Sequence, residues 1–357
     1  MIPLAKLREL KQAICHKNCP DGLAAAMILR DAIPEIDCYF IQYKTKEHRE
    51  LEVRPGQIFA DFSPPQERAQ EFLEGGAIVL DHHTHAWNIC KPFVDAGQGA
   101  FGSEKTDPGV SGALLAYREV WVPLVGETAS EARRKAIEEL ATLAGVFDTW
   151  QTQSPLWESS REQAEALKFW HWKQCLPVRW EEWQSKILNV GPALREKTDA
   201  RLKMLIGGAT RFTTGKGRKV IMFEGATESS LACERIDQDP EEDADIVIGF
   251  SIFTGRGDDK PSLYLSCRSH RGFDVGAFAI SHGGGGHSSA AGLNVKLEPE
   301  SYQPFTMADI LLRNYERYED QWLQIVGERK EDPNFLPQKA YFDILEPLDK
   351  FILGWEF

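Results

Sequence analysis

The residues best able to do chemistry form one short run, Ile78-Val79-Leu80-Asp81-His82-His83-Thr84-His85, in which three apolar side chains lead straight into a carboxylate and imidazoles. An apolar run following Gly75-Gly76 predicts a buried strand. Its carboxylate and imidazoles then emerge at the carboxyl end, where open α/β sheets hold their ligands. Asp and His together suit Mn²⁺, Zn²⁺ or Fe²⁺. Taken alone, neighbouring histidines fit a polar loop bonded to backbone equally well. Repetition weighs against that. Ala13-Ile14-Cys15 reads as the end of a first strand and runs into His16-Lys17-Asn18-Cys19-Pro20-Asp21-Gly22, a loop with His and Asp. Gln57 to Ala60 reads as another strand and runs into Asp61-Phe62-Ser63 before Pro64-Pro65. Three strands therefore end in metal-ligating residue types.

Regular elements must place these groups. Leu23 to Ile33 predicts a helix ended by Pro34, and Cys38 to Tyr43 a strand. Strand, polar loop and helix in alternation is the first half of an α/β unit. Val110 to Val120 and Glu131 to Phe147 predict helices, the second with Ile137, Leu140, Ala141, Ala144 and Phe147 on one face. Asp148 lies at its end, a position more often filled by a capping or solvated Asp than by a ligand. Trp157, Trp170, Trp172, Trp180 and Trp183 predict helical core packing, with base stacking as the sharper alternative. Trp183 to Leu205 has a polar helical pattern suited to a connector ending at Gly207-Gly208. Strands are expected at Lys219–Phe223, Ile246–Phe253, Ser262–Cys267 and Leu293–Leu297, with a hairpin turn over residues 254–259. The acidic stretch Asp237–Asp245 predicts a solvated loop. His282-Gly283-Gly284-Gly285-Gly286-His287 reads as a loop whose bare N–H groups can crowd an anion. A last amphipathic helix is expected over Thr306–Val326.

Composition bounds the rest. With 357 residues the chain exceeds one ordinary core, so at least two domains are expected. The boundaries expected are a catalytic domain at 1–182, a helical connector at 183–217, a substrate-binding domain at 218–298 and an extension at 299–357. No apolar run reaches membrane-span length, and the first residues lack the apolar centre of a signal peptide. The 7 cysteines are scattered and show no CxxC pairing, which predicts reduced thiols in a cytoplasmic compartment. A net charge of −13 disfavours a duplex DNA groove, while bound cations would still let small phosphorylated substrates approach.

The ordered set His16 to Gly22, Asp61-Phe62-Ser63, Asp81-His82-His83, Asp148, Cys267-Arg268-Ser269, Gly283 to His287 and Ala290-Ala291-Gly292 resembles the DHH phosphoesterases that carry a DHH-associated C-terminal domain. The resemblance spans roughly residues 13–297. It implies an α/β chain: an N-terminal parallel-sheet domain with helices on both faces, a helical connector, and a smaller C-terminal α/β domain that binds substrate across a cleft. It implies two Mn²⁺ ions, with Mg²⁺ or another divalent ion able to serve. His16 and Asp61 would hold one ion. Asp21, Asp61, His82 and Asp148 would hold the other, with Asp61 bridging. His83 would lie beside the substrate with Asp81 orienting a histidine, and His287 would assist at the scissile phosphate. Arg268, Ser269, Gly284, Gly285, Gly286 and His287 would bind substrate. The activity implied is hydrolysis of short oligonucleotides, dinucleotides or other small nucleotides. A nucleotide-binding regulator with a weakened metal site and a pyrophosphatase or polyphosphatase are the rivals, and oligomeric state is not specified. One departure stands out, because Cys19 occupies the place of the first of two usual carboxylates. It leaves three readings: a weakly held first ion, a neutral packing thiol, or a ligand for a softer ion.

Overall fold

The computed structural model describes residues 2–43, 45–83, 86–102, 110–176, 179–253, 262–296, 304–329 and 336–346. Thr84 and His85, the expected turn at 254–259 and the residues from 347 onward lie outside that set. The chain divides into two compact units, Met1–Lys197 and Thr198–Phe357.

In the first unit, β1 (Gln12–His16), β2 (Asp37–Ile41), β3 (Gln57–Ala60), β4 (Ile78–Asp81) and β5 (Gly99–Phe101) form a parallel sheet in the order β2-β1-β3-β4-β5. Side chains alternate between its faces with the strand period of two. Ala13, Cys15, Ile58, Ala60, Ile78 and Leu80 pack one face against the helices Pro20–Ala32, Gly112–Ala116 and Glu131–Asp148. Ile14, Phe59 and Val79 pack the other with Phe72, Cys90 and Phe93 of the helices Ala69–Glu74 and Trp87–Asp95. Burial on both faces explains why the strands read as continuous apolar runs rather than alternating ones. Trp157 is buried beside Phe147 and Trp150, Trp183 is in the core, and Trp170 and Trp180 pack against it. Core packing thus accounts for these four tryptophans.

Two local expectations are corrected. The helix expected from Leu23 starts at Pro20, so Asp21 is in its first turn and not in a loop. Pro at the first helical position loses no hydrogen bond there, and its fixed φ suits the helix. The helix expected over Val110–Val120 starts at Gly112, capped by Ser111, and widens to a π-helix over Tyr117–Gly126, which contains Pro123.

The second unit is a mixed sheet of β6 (Thr210–Thr213), β7 (Lys219–Glu224), β8 (Ile246–Phe253), β9 (Ser262–Arg268), β10 (Gly285–Gly286) and β11 (Ala290–Lys296). Its order is β10-β11-β9-β8-β7-β6, with only β7 and β8 parallel. The helices Val275–Ser281, Pro304–Arg329 and Pro337–Ile344 cover one face. Helix Ser229–Gln238 and the end of helix Trp180–Gly207 cover the other. The acidic stretch expected to be loop begins inside that first helix, which carries Asp237 and Gln238. No helix among the described residues is long and apolar enough to cross a membrane.

Candidate metal centre

Strand order reverses between β1 and β3, so their carboxyl ends open into the switch-point crevice of the sheet. His16 closes β1, Asp61 follows β3, and Asp81 closes β4 with His82 and His83 after it. Helix Glu131–Asp148 delivers Asp148 by its last residue, and the start of helix Pro20–Ala32 delivers Asp21. His82 Nε2 stands 3.2 Å from Asp61 Oδ1, 3.2 Å from Asp148 Oδ2 and 3.9 Å from Asp21 Oδ2. His16 Nδ1 stands 3.6 Å from Asp61 Oδ2. The five expected ligands therefore meet around Asp61.

Backbone conformation puts them there. Asp61, Asn18 and Trp150 are the non-glycine residues with positive φ among the described residues, and all three lie at or within two residues of the ligands. Asp61, at φ 56°, turns sharply out of β3 and donates its N–H to Leu80 O at 2.9 Å. Gly112 makes room for this turn: a Cβ there would lie 2.3 Å from Asp61 Cβ. Gly22 serves the neighbouring contact, since its Cβ would lie 2.5 Å from His16 O. Strain of this kind persists only where the surroundings enforce it.

Several supporting groups carried no sequence signal. Gly112 and Ala113 donate N–H bonds of 2.7 and 3.1 Å to the two oxygens of Asp21, which thereby caps their helix. Asp81 Oδ1 accepts from the N–H groups of His82 and His83 and from His83 Nδ1 at 2.8 Å, fixing the tautomer of that ring. Tyr43 donates to Asp81 Oδ2 at 3.2 Å. Gln42 Oε1 accepts from His16 Nε2 at 2.8 Å. Gln42 and Tyr43 come from just after β2 and Gly112 and Ala113 from the segment after residue 110, and only the tertiary fold brings them near.

The electrostatics call for cations. Asp21, Asp61 and Asp148 are carboxylates converging on one pair of imidazoles. Burial and the charges of Asp61 and Asp148 push the carboxyl of Asp21 up, and burial with Asp61 pushes Asp148 up. Burial also opposes ionisation of Asp61, but the imidazoles of His16, His82 and His83 outweigh it and hold its carboxyl well below the usual range. In return, despite burial, Asp61, Asp148 and Asp21 push His82 up to about 10. Protons trapped on imidazoles here offset the clustered negative charge. The sharpest sign is at His16. With Nε2–H donated to Gln42, its Nδ1 faces Asp61 Oδ2. Both atoms are buried and neither has a hydrogen-bond partner. This buried pair, 3.6 Å apart and unbonded, leaves a gap that a cation shared by the two atoms would fill. A set of carboxylates and imidazoles fits a hard or borderline divalent ion. Grouped by proximity, His16, Cys19 and Asp61 form one ligand trio and Asp21, His82 and Asp148 another.

Cys19 thus lies within reach of the first trio, while its Sγ also approaches Asp148 Oδ1 at 3.8 Å. Burial and the charges of Asp61 and Asp148 push its thiol up, so it is neutral without a cation. Cys19→Asp would add an anionic oxygen, and the expected result is tighter Mn²⁺ binding by about tenfold. Cys19→Ser should leave Mn²⁺ stoichiometry unchanged. Metal analysis and Mn²⁺ titration of the three proteins check this. Weaker binding by Cys19→Asp, or metal loss in Cys19→Ser, would instead make the sulfur a ligand.

The expected substrate-binding residues lie in the second unit. Arg268 closes β9 opposite Ala290, with Nε bonded to Ser230 Oγ at 2.8 Å and Nη1 to Cys267 O at 2.8 Å. Among the described residues it has no carboxylate within ion-pair distance. Ser269 is buried and its Oγ has no hydrogen-bond partner. The glycine loop is not the open anion cradle expected from its composition. Gly283, Gly284 and His287 donate their N–H groups to Ile280, Ala279 and Ala290 carbonyls. Gly285 and Gly286 pair with β11, and a Cβ on Gly284 or Gly286 would lie 2.2 or 2.4 Å from a carbonyl oxygen. Close strand packing explains Gly284 and Gly286, while Gly285 and His287 are exposed.

No family model matches the chain, and no curated protein matches it by sequence. Among solved structures, the DHH domain of a protein described as a member of a family of ribosomal proteins matches with a TM-score of 0.51 at 14% identity, over 81% of this chain and 83% of that one. RecJ in complex with Mn²⁺ from Thermus thermophilus matches with a TM-score of 0.49 at 16% identity, over 86% of this chain and 52% of RecJ. The pGpG-specific phosphodiesterase PggH from Vibrio cholerae matches with a TM-score of 0.39 at 14% identity, over 85% of this chain and 98% of that one. The first of these likenesses shows the fold of a DHH-domain protein.

Proposed function

We propose that this chain, which has the fold of a DHH-domain protein, is a metal-dependent phosphoesterase that hydrolyses phosphodiester bonds in short oligonucleotides or small nucleotides. The observation that carries the reading is the facing, unpartnered pair of His16 Nδ1 and Asp61 Oδ2 at the edge of a cluster with three carboxylates. His16 and Asp61 would hold one divalent ion, and Asp21, Asp61, His82 and Asp148 a second, with Mn²⁺ the ion that the donor set suits. When bound, such ions would lower the pKa of a water and offset charge developing on the phosphate oxygens.

The protein's own groups do the rest. Gly112 and Ala113 fix both oxygens of Asp21, and Gln42 fixes the ring of His16, so these ligands need no reorganisation. Asp81 keeps a proton on His83 Nδ1 and, with Asp61, pushes that imidazole up to about 9 despite burial. His83 is thereby an oriented hydrogen-bonding group beside the expected ligands. In the second unit, Arg268 offers a guanidinium held by Ser230 and Cys267 and unpaired with any described carboxylate. Ser269 and the exposed His287 lie at the same end of the sheet, by the start of β11. Arg268→Ala is expected to weaken substrate binding by about 1.5–3 kcal/mol, roughly ten- to hundredfold, with metal content unchanged. Metal loss with normal substrate binding would make Arg268 structural instead.

The test is a panel of RNA and DNA dimers to decamers, linear and cyclic dinucleotides, adenosine 3′,5′-bisphosphate and pyrophosphate, with and without Mn²⁺, products being separated by chromatography. Mn²⁺-dependent release of mononucleotides is the expected result. Binding without turnover would favour a nucleotide-binding regulator, and turnover of pyrophosphate alone would overturn the diester assignment.

A further inference from the structure

In the second unit, among residues with no part in the centre or the substrate set above, a buried thiol, a carboxylate and an imidazole converge on one point. Cys233 and Asp237 are four residues apart on helix Ser229–Gln238, which puts both on one face. His270 comes from the loop after β9. Cys233 Sγ stands 3.9 Å from Asp237 Oδ2 and 3.9 Å from His270 Nδ1, and His270 Nδ1 is hydrogen-bonded to that same Oδ2. We propose that Cys233, Asp237 and His270 form a zinc site with a fourth position open to water.

The argument is one of donor type, distance and surroundings. Thiolate, imidazole and carboxylate together match borderline-soft Zn²⁺ better than Mg²⁺ or Ca²⁺. Tetrahedral bonds of about 2.0–2.3 Å place ligand atoms about 3.3–3.6 Å apart, so both sulfur separations are within about 0.4 Å of the need. The hydrogen-bonded His270–Asp237 contact has only to open to admit an ion. Asp237 is the penultimate residue of its helix, where the unpaired carbonyls favour a cation and disfavour a lone carboxylate. Arg271 faces the opposite oxygen, Asp237 Oδ1, at 3.8 Å and is also bonded to Asp243. Oδ2 therefore remains directed at Cys233 and His270. Cys233 is buried, while the side chains of Asp237 and His270 are 22% and 34% exposed, so an ion has an entry path and a position for water.

The consequence is mechanical. An ion at this point ties the end of helix Ser229–Gln238 to the loop that starts at Ser269. Arg268 immediately precedes that loop and is bonded to Ser230 in the first turn of that helix. Zinc would brace the strand end that carries Arg268, a positioning role independent of whether the first unit hydrolyses phosphodiesters.

Cobalt reports the site, because thiolate bound to Co²⁺ gives a near-ultraviolet charge-transfer band that oxygen and nitrogen ligands do not. The full chain carrying Cys19→Ser has no sulfur at the first centre and is titrated with Co²⁺ and then with Zn²⁺. The expected result is a saturable charge-transfer band with the intensity of a single thiolate, abolished by Zn²⁺. Adding Cys233→Ser should remove the band, and adding His270→Ala should weaken Co²⁺ binding at least tenfold. Because His270 is exposed, its substitution decides the matter even where Cys233→Ser fails to fold. Absence of the band in the Cys19→Ser protein, or a band untouched by His270→Ala, would overturn the proposal and leave a hydrogen-bonded cluster only.

Discussion

Asp61→Asn is expected to bring hydrolysis down to background while the protein stays folded. Asp61 lies against both residue trios, so on the proposed assignment this change removes a negative charge that two ions would share. A transition-state contribution of several kcal/mol from the metals corresponds to a loss on the order of a thousandfold or more. The substitution suits the backbone. Asp61 sits at φ 56°, and Asn tolerates the left-handed region as well as any residue with a side chain. The amide also fits the same volume beneath Gly112. Because imidazoles hold Asp61 ionised, its loss should lower the thermal midpoint without metal while leaving the protein folded. The checks are turnover of the best substrate in the panel, bound Mn²⁺ per chain and the thermal midpoint. Near-normal turnover by a folded Asp61→Asn protein would eliminate the two-metal assignment.

Truncation at residue 330 is expected to unfold or aggregate the second unit. The residues beyond 330 include Phe335, Tyr341, Phe342, Ile344, Leu345, Leu348, Phe351, Ile352 and Trp355, an apolar set that must be covered. Those that the structure describes are covered by the chain itself. Tyr341 is fully buried against Trp322 and His282 and donates to Asn314 Oδ1 at 3.1 Å. Leu345 lies in the same core, with Phe342 and Ile344 packed on it. Phe335, Leu348, Phe351, Ile352 and Trp355 are outside the described residues. The single change Tyr341→Ala isolates this contact. Loss of a buried aromatic costs about 3–5 kcal/mol. For a unit of this size that is a fall in thermal midpoint of about 6–20 °C. A truncated or Tyr341→Ala protein that melts with the parent would show the tail to be dispensable.

The difference between what could be read from the sequence and what could not follows the range of the interactions. Ile78-Val79-Leu80 and Ile58-Phe59-Ala60 are apolar on both faces because helices cover both sides of the sheet, and that pattern is local. A carboxylate or imidazole after each run is local too, so the fold class was legible, and the ends of β1, β3 and β4 could be read as a candidate metal centre. Asp148 was not: by pattern it is a residue at a helix end, and only packing of that helix on the sheet puts it 3.2 Å from His82. The glycine loop misled for a related reason. Composition shows that its N–H groups are unobstructed, but the pairing of β10 with β11 decides that several are already bonded. Gln42, Tyr43 and Gly112 support the centre from segments with no motif of their own. Cys233 and Asp237 share a helix face, and what completes their cluster is His270, brought back by the turn after β9. By itself the sequence determined which groups leave the strands and helices. The tertiary structure decided which of them face one another, because closure of distant segments depends on packing that no local pattern encodes.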